Sequence, residues 1–319
     1  MTYILLLIGF ALLIKGADLF VDGASSIAGL LRVPPLLIGL TIVAFGTSSP
    51  EATVSMIAAA QGTTEVALGN VVGSNIFNIT LVAGLTAFLF PLKVETETIR
   101  KEIPFTFLAS TALLIMMSDV LLQGEVNTNI ISRADGFIFL LFFTIFLYYI
   151  YEVARNSRGN NTAAPSTVTE KKWSRHVLFT LGGLAAIIFG GDLVVRNSTE
   201  IAYTFGMSET LVGLTIVAVG TSLPELVTSI TAAVKKQSEL ALGNIIGSNI
   251  FNILFVLGAS AVISDLVVNS KVFLDVGLML LLTLVLLLFS KTNYRVGKYE
   301  GMMLAGFYVV YLVYIILRN

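Results

Sequence analysis

Two short segments of this 319-residue chain place acidic side chains inside long apolar runs. Gly46–Glu51 reads GTSSPE, and Gly220–Glu225 reads GTSLPE. An ionisable side chain at membrane depth costs at least ~2.5–3.5 kcal/mol on insertion scales, so a carboxylate kept there has a function by default. Neither Glu51 nor Glu225 has a lysine or arginine near it on its own run. Two such carboxylates that meet would repel each other and take up protons, whereas one divalent cation satisfies both.

The proline of each segment predicts a break in the helix that carries it. Pro50 and Pro224 lack an N–H group, and each ring pushes against the carbonyl group four residues back. Such a break frees carbonyl oxygens, which in hydrocarbon need a partner such as a bound cation. The candidate carbonyl ligands belong to Thr47 and Thr221 and, one turn earlier, to Ala44 and Ala218.

A second segment, GNxxGSNIFN, follows each predicted break, at Gly69–Asn78 and at Gly243–Asn252. Its polar residues recur at i, i+4 and i+8, which places them on one helix face. They are Asn70, Ser74 and Asn78 in the first copy and Asn244, Ser248 and Asn252 in the second. Oxygen donors of these types suit hard cations such as Ca²⁺ and Na⁺. Helix packing through glycines spaced by four is the structural alternative, but the recurrence of both segments favours a cation site.

The composition predicts an integral membrane protein. Hydrophobic residues make up 56% of the chain and charged residues 12%, against roughly 25% charged residues in soluble domains. The absence of cysteine excludes disulfides and thiolate chemistry, and a single histidine, His176, leaves no histidine cluster for a transition metal. The net charge of −1 gives no electrostatic basis for binding nucleic acid.

The apolar runs predict an all-α protein with ten transmembrane helices, since a span needs about 20 apolar residues. The predicted spans are 2–22, 34–60, 66–90, 103–122, 135–154, 176–195, 209–234, 240–263, 272–290 and 300–317. The breaks at the two prolines fall in spans 2 and 7.

An internal repeat divides the chain into two halves. Residues 39–84 and 213–258 align without a gap at an offset of 174, with 28 identities in 46 positions. The halves, 1–154 and 176–319, flank a polar stretch at 155–175 that reads as a flexible cytoplasmic linker. Five spans in each half make the second copy inverted in the membrane, which is the architecture of secondary transporters with a site near the midplane.

The positive charges predict the orientation. Of the 19 Lys and Arg residues, 14 fall in connections on one side of the ten predicted spans and 4 on the other. Because positive charge accumulates on the cytoplasmic side, we expect both termini to lie outside the cytoplasm of the cell (inner) membrane.

The paired motifs resemble the two alpha-repeats of the calcium/cation antiporter superfamily, in particular prokaryotic sodium/calcium exchangers. The resemblance covers the whole chain and implies ten helices with Ca²⁺ and Na⁺ competing for one central cluster. Carried over residue by residue, it implies acidic ligands at Glu51 and Glu225 and carbonyl ligands at Thr47 and Thr221. It also implies side-chain oxygen ligands at Ser48, Ser222, Ser74, Ser248, Asn78 and Asn252.

The resemblance further implies that spans 1 and 6 form a gating pair that slides over the remaining helices. This chain has Asn252 where some exchangers carry Asp and potassium-dependent ones use an acid, so we expect no K⁺ co-transport. With both glutamates ionised the site charge is −2, which one Ca²⁺ neutralises and three Na⁺ exceed by one. The usual three-for-one exchange is therefore left open.

The resulting hypothesis is a sodium/calcium antiporter, not an enzyme, with no cofactor, no obligate protein partner and the lipid bilayer as its surroundings. A proton/cation exchanger that uses the same glutamate pair is the alternative within transport. A cation channel would leave a pore without closely apposed carboxylates. An intramembrane protease would need a Ser-His pair, a zinc motif or paired catalytic aspartates, and the lone histidine excludes the first two.

Overall fold

The computed structural model describes residues 2–124, 127–160, 173–206 and 218–318, which are almost entirely helical. The helices before the central stretch are α1 (Thr2–Leu31), α2 (Pro35–Ile38), α3 (Ala44–Thr47), α4 (Ser49–Ala60), α5 (Thr64–Phe77), α6 (Ala83–Leu89), α7 (Ile103–Met116), α8 (Asp119–Gln123) and α9 (Arg133–Asn160). The helices after it are α10 (Trp173–Thr204), α11 (Ala218–Thr221), α12 (Leu223–Val234), α13 (Ser238–Phe251), α14 (Gly258–Ile263), α15 (Ser270–Lys291) and α16 (Lys298–Arg318).

Wider π-helical turns interrupt or precede several of these helices. They cover Gly39–Val43, Asn78–Val82, Thr98–Glu102 and Asn252–Leu257. Two of them begin at the last asparagine of the repeated GSNIFN segments. Turns of this kind are rare and are frequently found at functional sites.

Two short antiparallel ribbons join the ends of the helices. Strand β1 (Leu92–Lys93) pairs with β4 (Arg295–Val296), and β2 (Ile130–Ile131) pairs with β3 (Leu266–Val267). The offset of 174 relates β1 to β3, so each half contributes this strand to a ribbon with the other half.

Seven of the described helical stretches are long and apolar enough to cross a membrane. They are Thr2–Leu31, Thr64–Leu89, Arg133–Ser157, Trp173–Thr204, Ser238–Ile263, Ser270–Lys291 and Lys298–Arg318. Pro35–Thr47 and Ser49–Ala60 qualify together as an eighth, bent by 50° at Ser48. The chain is therefore a multi-pass helical membrane protein.

The other two predicted spans, the fourth and the seventh, do not appear as long apolar helices among the described residues. The predicted fourth span, 103–122, corresponds to α7, which ends at Met116 and is followed by the separate short helix α8. Of the predicted seventh span, residues 209–217 lie outside the described residues, and α12 is a shorter apolar helix. The count of ten spans stays a prediction.

The predicted cytoplasmic linker, 155–175, stays a prediction, and the helices on either side of it extend into this range. Helix α9 continues to Asn160, and α10 already begins at Trp173. Residues 161–172 lie outside the part of the chain that the structure describes. Polar composition alone missed the helical ends because a helix that leaves an apolar environment can continue with a polar surface.

The bend at Ser48 follows from the proline two residues later. Pro50 is the second residue of α4, where its missing N–H costs no helical hydrogen bond. Ser48 itself has ψ of 8°, outside the helical range. Glu51 consequently lies in the first turn of α4, where the N–H groups of the helix terminus favour negative charge. The same arrangement recurs at Ser222, Pro224 and Glu225.

The two halves meet along α1 and α10, which approach backbone to backbone. A methyl group added at Gly9 would lie 3.0 Å from the carbonyl oxygen of Gly190, and one at Gly183 would lie 2.7 Å from that of Gly16. The offset of 174 relates Gly9 to Gly183 and Gly16 to Gly190. The contact thus maps onto itself under the repeat, as expected for two related helices packed around a pseudo-two-fold axis.

Gly183→Val should destabilise the α1–α10 interface. The added side chain would begin 2.5 Å from the backbone nitrogen of Phe20, and backbone cannot move aside as a flexible side chain can. Overpacking of this kind costs about 1–3 kcal/mol, so thermal denaturation of the detergent-purified protein should occur at a lower temperature. The matched control is Gly182→Val, because a methyl group at Gly182 would meet no atom within 4 Å. Equal melting temperatures for the two variants would contradict this packing.

Candidate cation-binding site

The repeated segments come together in the interior of the molecule. The bends before α4 and α12 carry Ser48 and Ser222, and Glu51 and Glu225 follow in the first turns of those helices. Helices α5 and α13 pass beside the bends and bring the GSNIFN segments of the two halves. Hydrogen bonds connect Ser48 to Glu225, Ser222 to Glu51 and Ser222 to Ser74. The segments packed against them carry the buried side chains of Asn78, Ser248 and Asn252. We call these eight residues the central cluster: Ser48, Glu51, Ser74, Asn78, Ser222, Glu225, Ser248 and Asn252.

Each glutamate of the central cluster is held by a serine from the other half. The Ser48 hydroxyl donates to Oε1 of Glu225 at 2.7 Å, and the Ser222 hydroxyl donates to Oε1 of Glu51 at 2.9 Å. All four side chains are completely buried. The two hydrogen bonds are related by the repeat, and they tie the halves together through the carboxylates.

The serines bond across the molecule although their spacing from the glutamates would also allow a local capping box. Ser48 precedes α4 by one residue, and Glu51 is its third residue, a spacing typical of a capping box in which the two side chains bond to each other's backbone. The Ser48 side chain caps nothing locally and bonds across the molecule to Glu225 instead. Ser222 does the same toward Glu51.

The second oxygen of each carboxylate has no partner among the described residues. Oε2 of Glu51 and Oε2 of Glu225 are buried without a hydrogen bond, and no ion pair reaches either side chain in the described part of the chain. Leaving a buried charged group unsatisfied costs more than the ~1–3 kcal/mol of a neutral one. An ionised pair of this kind therefore needs a cation.

Neutral oxygens of the central cluster are also left without partners. The hydroxyl of Ser248, Oδ1 of Asn252 and both polar atoms of Asn78 are buried and unbonded. The Ser74 hydroxyl lies 3.2 Å from that of Ser222. Within the described residues no group of three or more His, Cys, Asp or Glu side chains assembles, so the cluster offers two carboxylates and otherwise neutral oxygens. This donor set fits Ca²⁺ and Na⁺.

Asn70 and Asn244 were predicted on the same helix faces as the serines and the last asparagines. Their side chains bond to the backbone of the glutamates and not to the carboxylate groups. The Asn70 amide donates to the Ser55 hydroxyl at 2.9 Å and to the backbone carbonyl of Glu51 at 3.3 Å. Asn244 donates to Ser229 at 2.9 Å and to the Glu225 carbonyl at 3.4 Å. These bonds fix α4 against α5 and α12 against α13. Ser55 and Ser229 were not predicted, although the offset of 174 relates them.

Of the predicted carbonyl ligands, that of Ala44 takes part in hydrogen bonds of its own helix. The carbonyl of Ala44, which was expected to be free, accepts the Ser48 N–H at 3.0 Å and the Thr47 hydroxyl at 3.4 Å, because the helix resumes its hydrogen bonding across the bend. The buried Thr47 hydroxyl also donates to Oδ1 of Asn244 at 3.0 Å. Thr221 is half-buried at the end of α11, and Ala218 begins that helix.

The chain matches the family model described as sodium/calcium exchanger protein over residues 1–152 and 175–317. CaxA of Alkalimonas amylolytica is 41% identical over 318 residues, covering 97% of this chain and 96% of CaxA. The sodium/calcium exchanger MaX1 of Methanosarcina acetivorans is 32% identical over 342 residues, covering 98% and 97%. A solved structure of the sodium-calcium exchanger NCX_Mj, soaked with Na⁺ and Sr²⁺, matches with a TM-score of 0.82 at 29% identity, covering 98% of this chain and 97% of NCX_Mj.

Replacing either carboxylate of the central cluster should weaken Ca²⁺ binding strongly. Glu51→Gln or Glu225→Gln leaves one negative charge for a divalent ion, and breaking a buried charge pair costs about 3–5 kcal/mol. We therefore expect at least a ~100-fold weaker Kd by equilibrium ⁴⁵Ca²⁺ binding to the purified protein. Glu102→Gln is the matched control, since Glu102 is also buried but bonds to the Tyr149 hydroxyl outside the cluster. Loss of binding in the control, or retention in either cluster variant, would contradict the assignment.

Proposed function

The chain belongs to the sodium/calcium exchanger family, and we propose on this premise that it exchanges Na⁺ for Ca²⁺ by alternating access to the central cluster. The observation that carries the proposal is the pair of unbonded carboxylate oxygens, Oε2 of Glu51 and Oε2 of Glu225, in a buried set of oxygen donors. The relatives that it matches are transporters, so we infer ion transport and no bond chemistry.

The proposed binding chemistry follows from the charges. Ca²⁺ gives up its hydration shell on entering the cluster, and the ligands replace those water oxygens at a similar count and distance. Two ionised carboxylates neutralise one Ca²⁺ or two Na⁺. Competition between the ions for the same oxygens makes exit of one a condition for entry of the other. This condition is what couples the two fluxes.

We propose ten spans in two inverted halves, with α2–α4 and α11–α12 as the broken second and seventh spans. The 50° bend at Ser48 supports the first break. Bonds that map onto each other at the offset of 174, from Ser48 to Glu225 and from Ser222 to Glu51, support a two-fold relation between the halves. We also propose that the protein lies in the inner membrane with the linker 155–175 in the cytoplasm and both termini outside it. The excess of Lys and Arg on one side of the predicted spans supports this orientation.

Helices α1 and α10 are the proposed gating pair. A cavity of about 430 Å³ lies beside the bend that precedes α4, between α4, α10 and α12, with Pro50, Asp192 and Pro224 in its lining. On the opposite side of the pair, Lys235 after α12 bonds to Asp18 and Asp22 of α1, at 2.6 and 2.7 Å. We therefore propose that cations reach the central cluster through this cavity beside α10. The ion pairs of Lys235 meanwhile hold α1 against the end of α12 and block entry there.

The repeat makes this difference between the two sides visible. The residues related to Asp18, Asp22 and Lys235 are Asp192, Arg196 and Gln61. Asp192 pairs with Arg196 on its own helix at 2.8 Å. The charge pair on α10 therefore does not cross to a neighbouring helix as the one on α1 does.

An outward Na⁺ gradient should drive Ca²⁺ into proteoliposomes. Vesicles loaded with Na⁺ and diluted into Na⁺-free medium are expected to take up ⁴⁵Ca²⁺, and Glu51→Gln and Glu225→Gln should abolish this uptake because the shared site loses half its charge. Vesicles with equal Na⁺ on both sides are the control for leak. Uptake driven equally by a proton gradient without Na⁺ would favour the proton/cation exchanger that uses the same glutamates. Uptake without a counter-ion gradient would indicate a channel.

The charge of the cluster bears on the stoichiometry. Exchange of three Na⁺ for one Ca²⁺ moves one net charge, worth about 2.3 kcal/mol per 100 mV. An inside-positive potential should then accelerate Ca²⁺ uptake into Na⁺-loaded vesicles, because positive charge leaves in each cycle. We expect this dependence in vesicles clamped with valinomycin and K⁺ gradients. Uptake that is independent of potential would exclude three-for-one exchange.

A further inference from the structure

Asn75, the residue after Ser74, is a completely buried amide at the crossing of α5 and α13. Its Nδ2 donates to the backbone carbonyl of Asn249 at 3.2 Å. A backbone carbonyl can only accept, so this bond decides which end of the Asn75 amide is nitrogen and which is oxygen. Oδ1 of Asn75 must therefore be the atom that accepts from the neighbouring side chain on the other side of the amide.

That neighbour is Asn252. Nδ2 of Asn252 donates to Oδ1 of Asn75 at 3.2 Å, which leaves Oδ1 of Asn252 buried and unbonded. Ser248, one helical turn earlier on the same face, also has an unbonded hydroxyl. One further turn back, Asn244 reaches the Glu225 carbonyl. The free oxygen of Asn252 therefore belongs to the face that lines the central cluster.

We propose that Asn75 is a positioning residue for the central cluster, which holds Asn252 with its amide oxygen toward the transported cation. The inference rests on the proposed function and adds the residue that sets the orientation of one neutral ligand. The chain of bonds runs from the Asn249 carbonyl through Asn75 to Asn252, and each step permits one orientation only.

The corresponding hydrogen bond in the other half is not formed. At the offset of 174, Asn249 corresponds to Asn75 and Asn78 corresponds to Asn252. The equivalent bond would run from Nδ2 of Asn78 to Oδ1 of Asn249, and both atoms are unbonded. One half of the cluster thus contributes an oriented amide, and the other contributes an amide with both polar atoms free. Asn75 and Asn249 are for this reason a matched pair of positions with different expected effects.

Asn75 also disfavours an ionised side chain at position 252. An ionised aspartate there would have no hydrogen to donate and would set a carboxylate oxygen against Oδ1 of Asn75 at the distance of the present hydrogen bond. Two acceptors at that distance repel each other. The arrangement keeps this ligand neutral and the charge of the cluster at −2.

The test is a double-mutant cycle on Ca²⁺ binding, measured with ⁴⁵Ca²⁺ alone on the purified full-length protein without Na⁺. Asn75→Ala should weaken binding about tenfold, since the Asn252 amide is then free to turn its nitrogen toward the cation. Asn252→Ala should weaken it at least as much, and the double variant should bind no more weakly than Asn252→Ala. Asn249→Ala is the control and should stay within about twofold of the unmodified protein.

If the double variant weakens Ca²⁺ binding by the product of the two single effects, Asn75 has a general structural role and the proposal is overturned. An unchanged Kd for Asn75→Ala would also overturn it. Asn75→Ser provides a second variant should the alanine chain not fold, because a serine can bond to its own helix but cannot reach Asn252; the same tenfold loss is expected. Absence of Ca²⁺ binding by the unmodified protein would refute both the function and the inference. Normal binding together with proton-driven transport would refute sodium coupling alone.

Discussion

The structure depends on two buried carboxylates that no cationic side chain of the described residues neutralises. Glu51 and Glu225 each receive one hydroxyl hydrogen bond from the opposite half of the chain and keep one oxygen unbonded. In an apolar interior such a pair is costly unless a cation joins it. In the proposed function, a cation that is needed for neutrality and yet held by only two charges can be exchanged for another, and this exchange would be the physical basis of counter-transport.

Several features of the fold position these carboxylates or pack the two halves around them. The prolines end one helix and begin the next, so that each glutamate lies in a first helical turn rather than along a continuous helix. Glycines let α1 and α10 meet at backbone distance. Wider π-helical turns begin at Asn78 and Asn252, within the continuous spans Thr64–Leu89 and Ser238–Ile263. The repeat supplies each of these devices twice, once from each half.

The repeat also explains how much the sequence could predict. The glutamates, the serines and the last asparagines of the GSNIFN segments could be found because they recur at one offset. The structure buries all of them and joins serines and glutamates of opposite halves by hydrogen bonds. The exchange of Ser48 and Ser222 between halves could not be found from a local pattern, because the same spacing also fits a capping box within one helix. The satisfied carbonyl of Ala44 depends on how the bend resumes its hydrogen bonds, and the orientation of Asn252 depends on contacts across the two halves. Apolar periodicity carries none of this information.

Anomalous diffraction from crystals of the full chain soaked in Sr²⁺ without Na⁺ is the most direct measurement of whether the two halves share one cation. We expect a single strong peak between Oε2 of Glu51 and Oε2 of Glu225. Its oxygen ligands should lie at or slightly beyond the roughly 2.3–2.6 Å of Ca²⁺ sites, because Sr²⁺ is the larger ion. A wash in Na⁺ should remove it. A peak bound to one glutamate only, two separate peaks, or a peak elsewhere in the molecule would contradict a shared site formed by the two repeats.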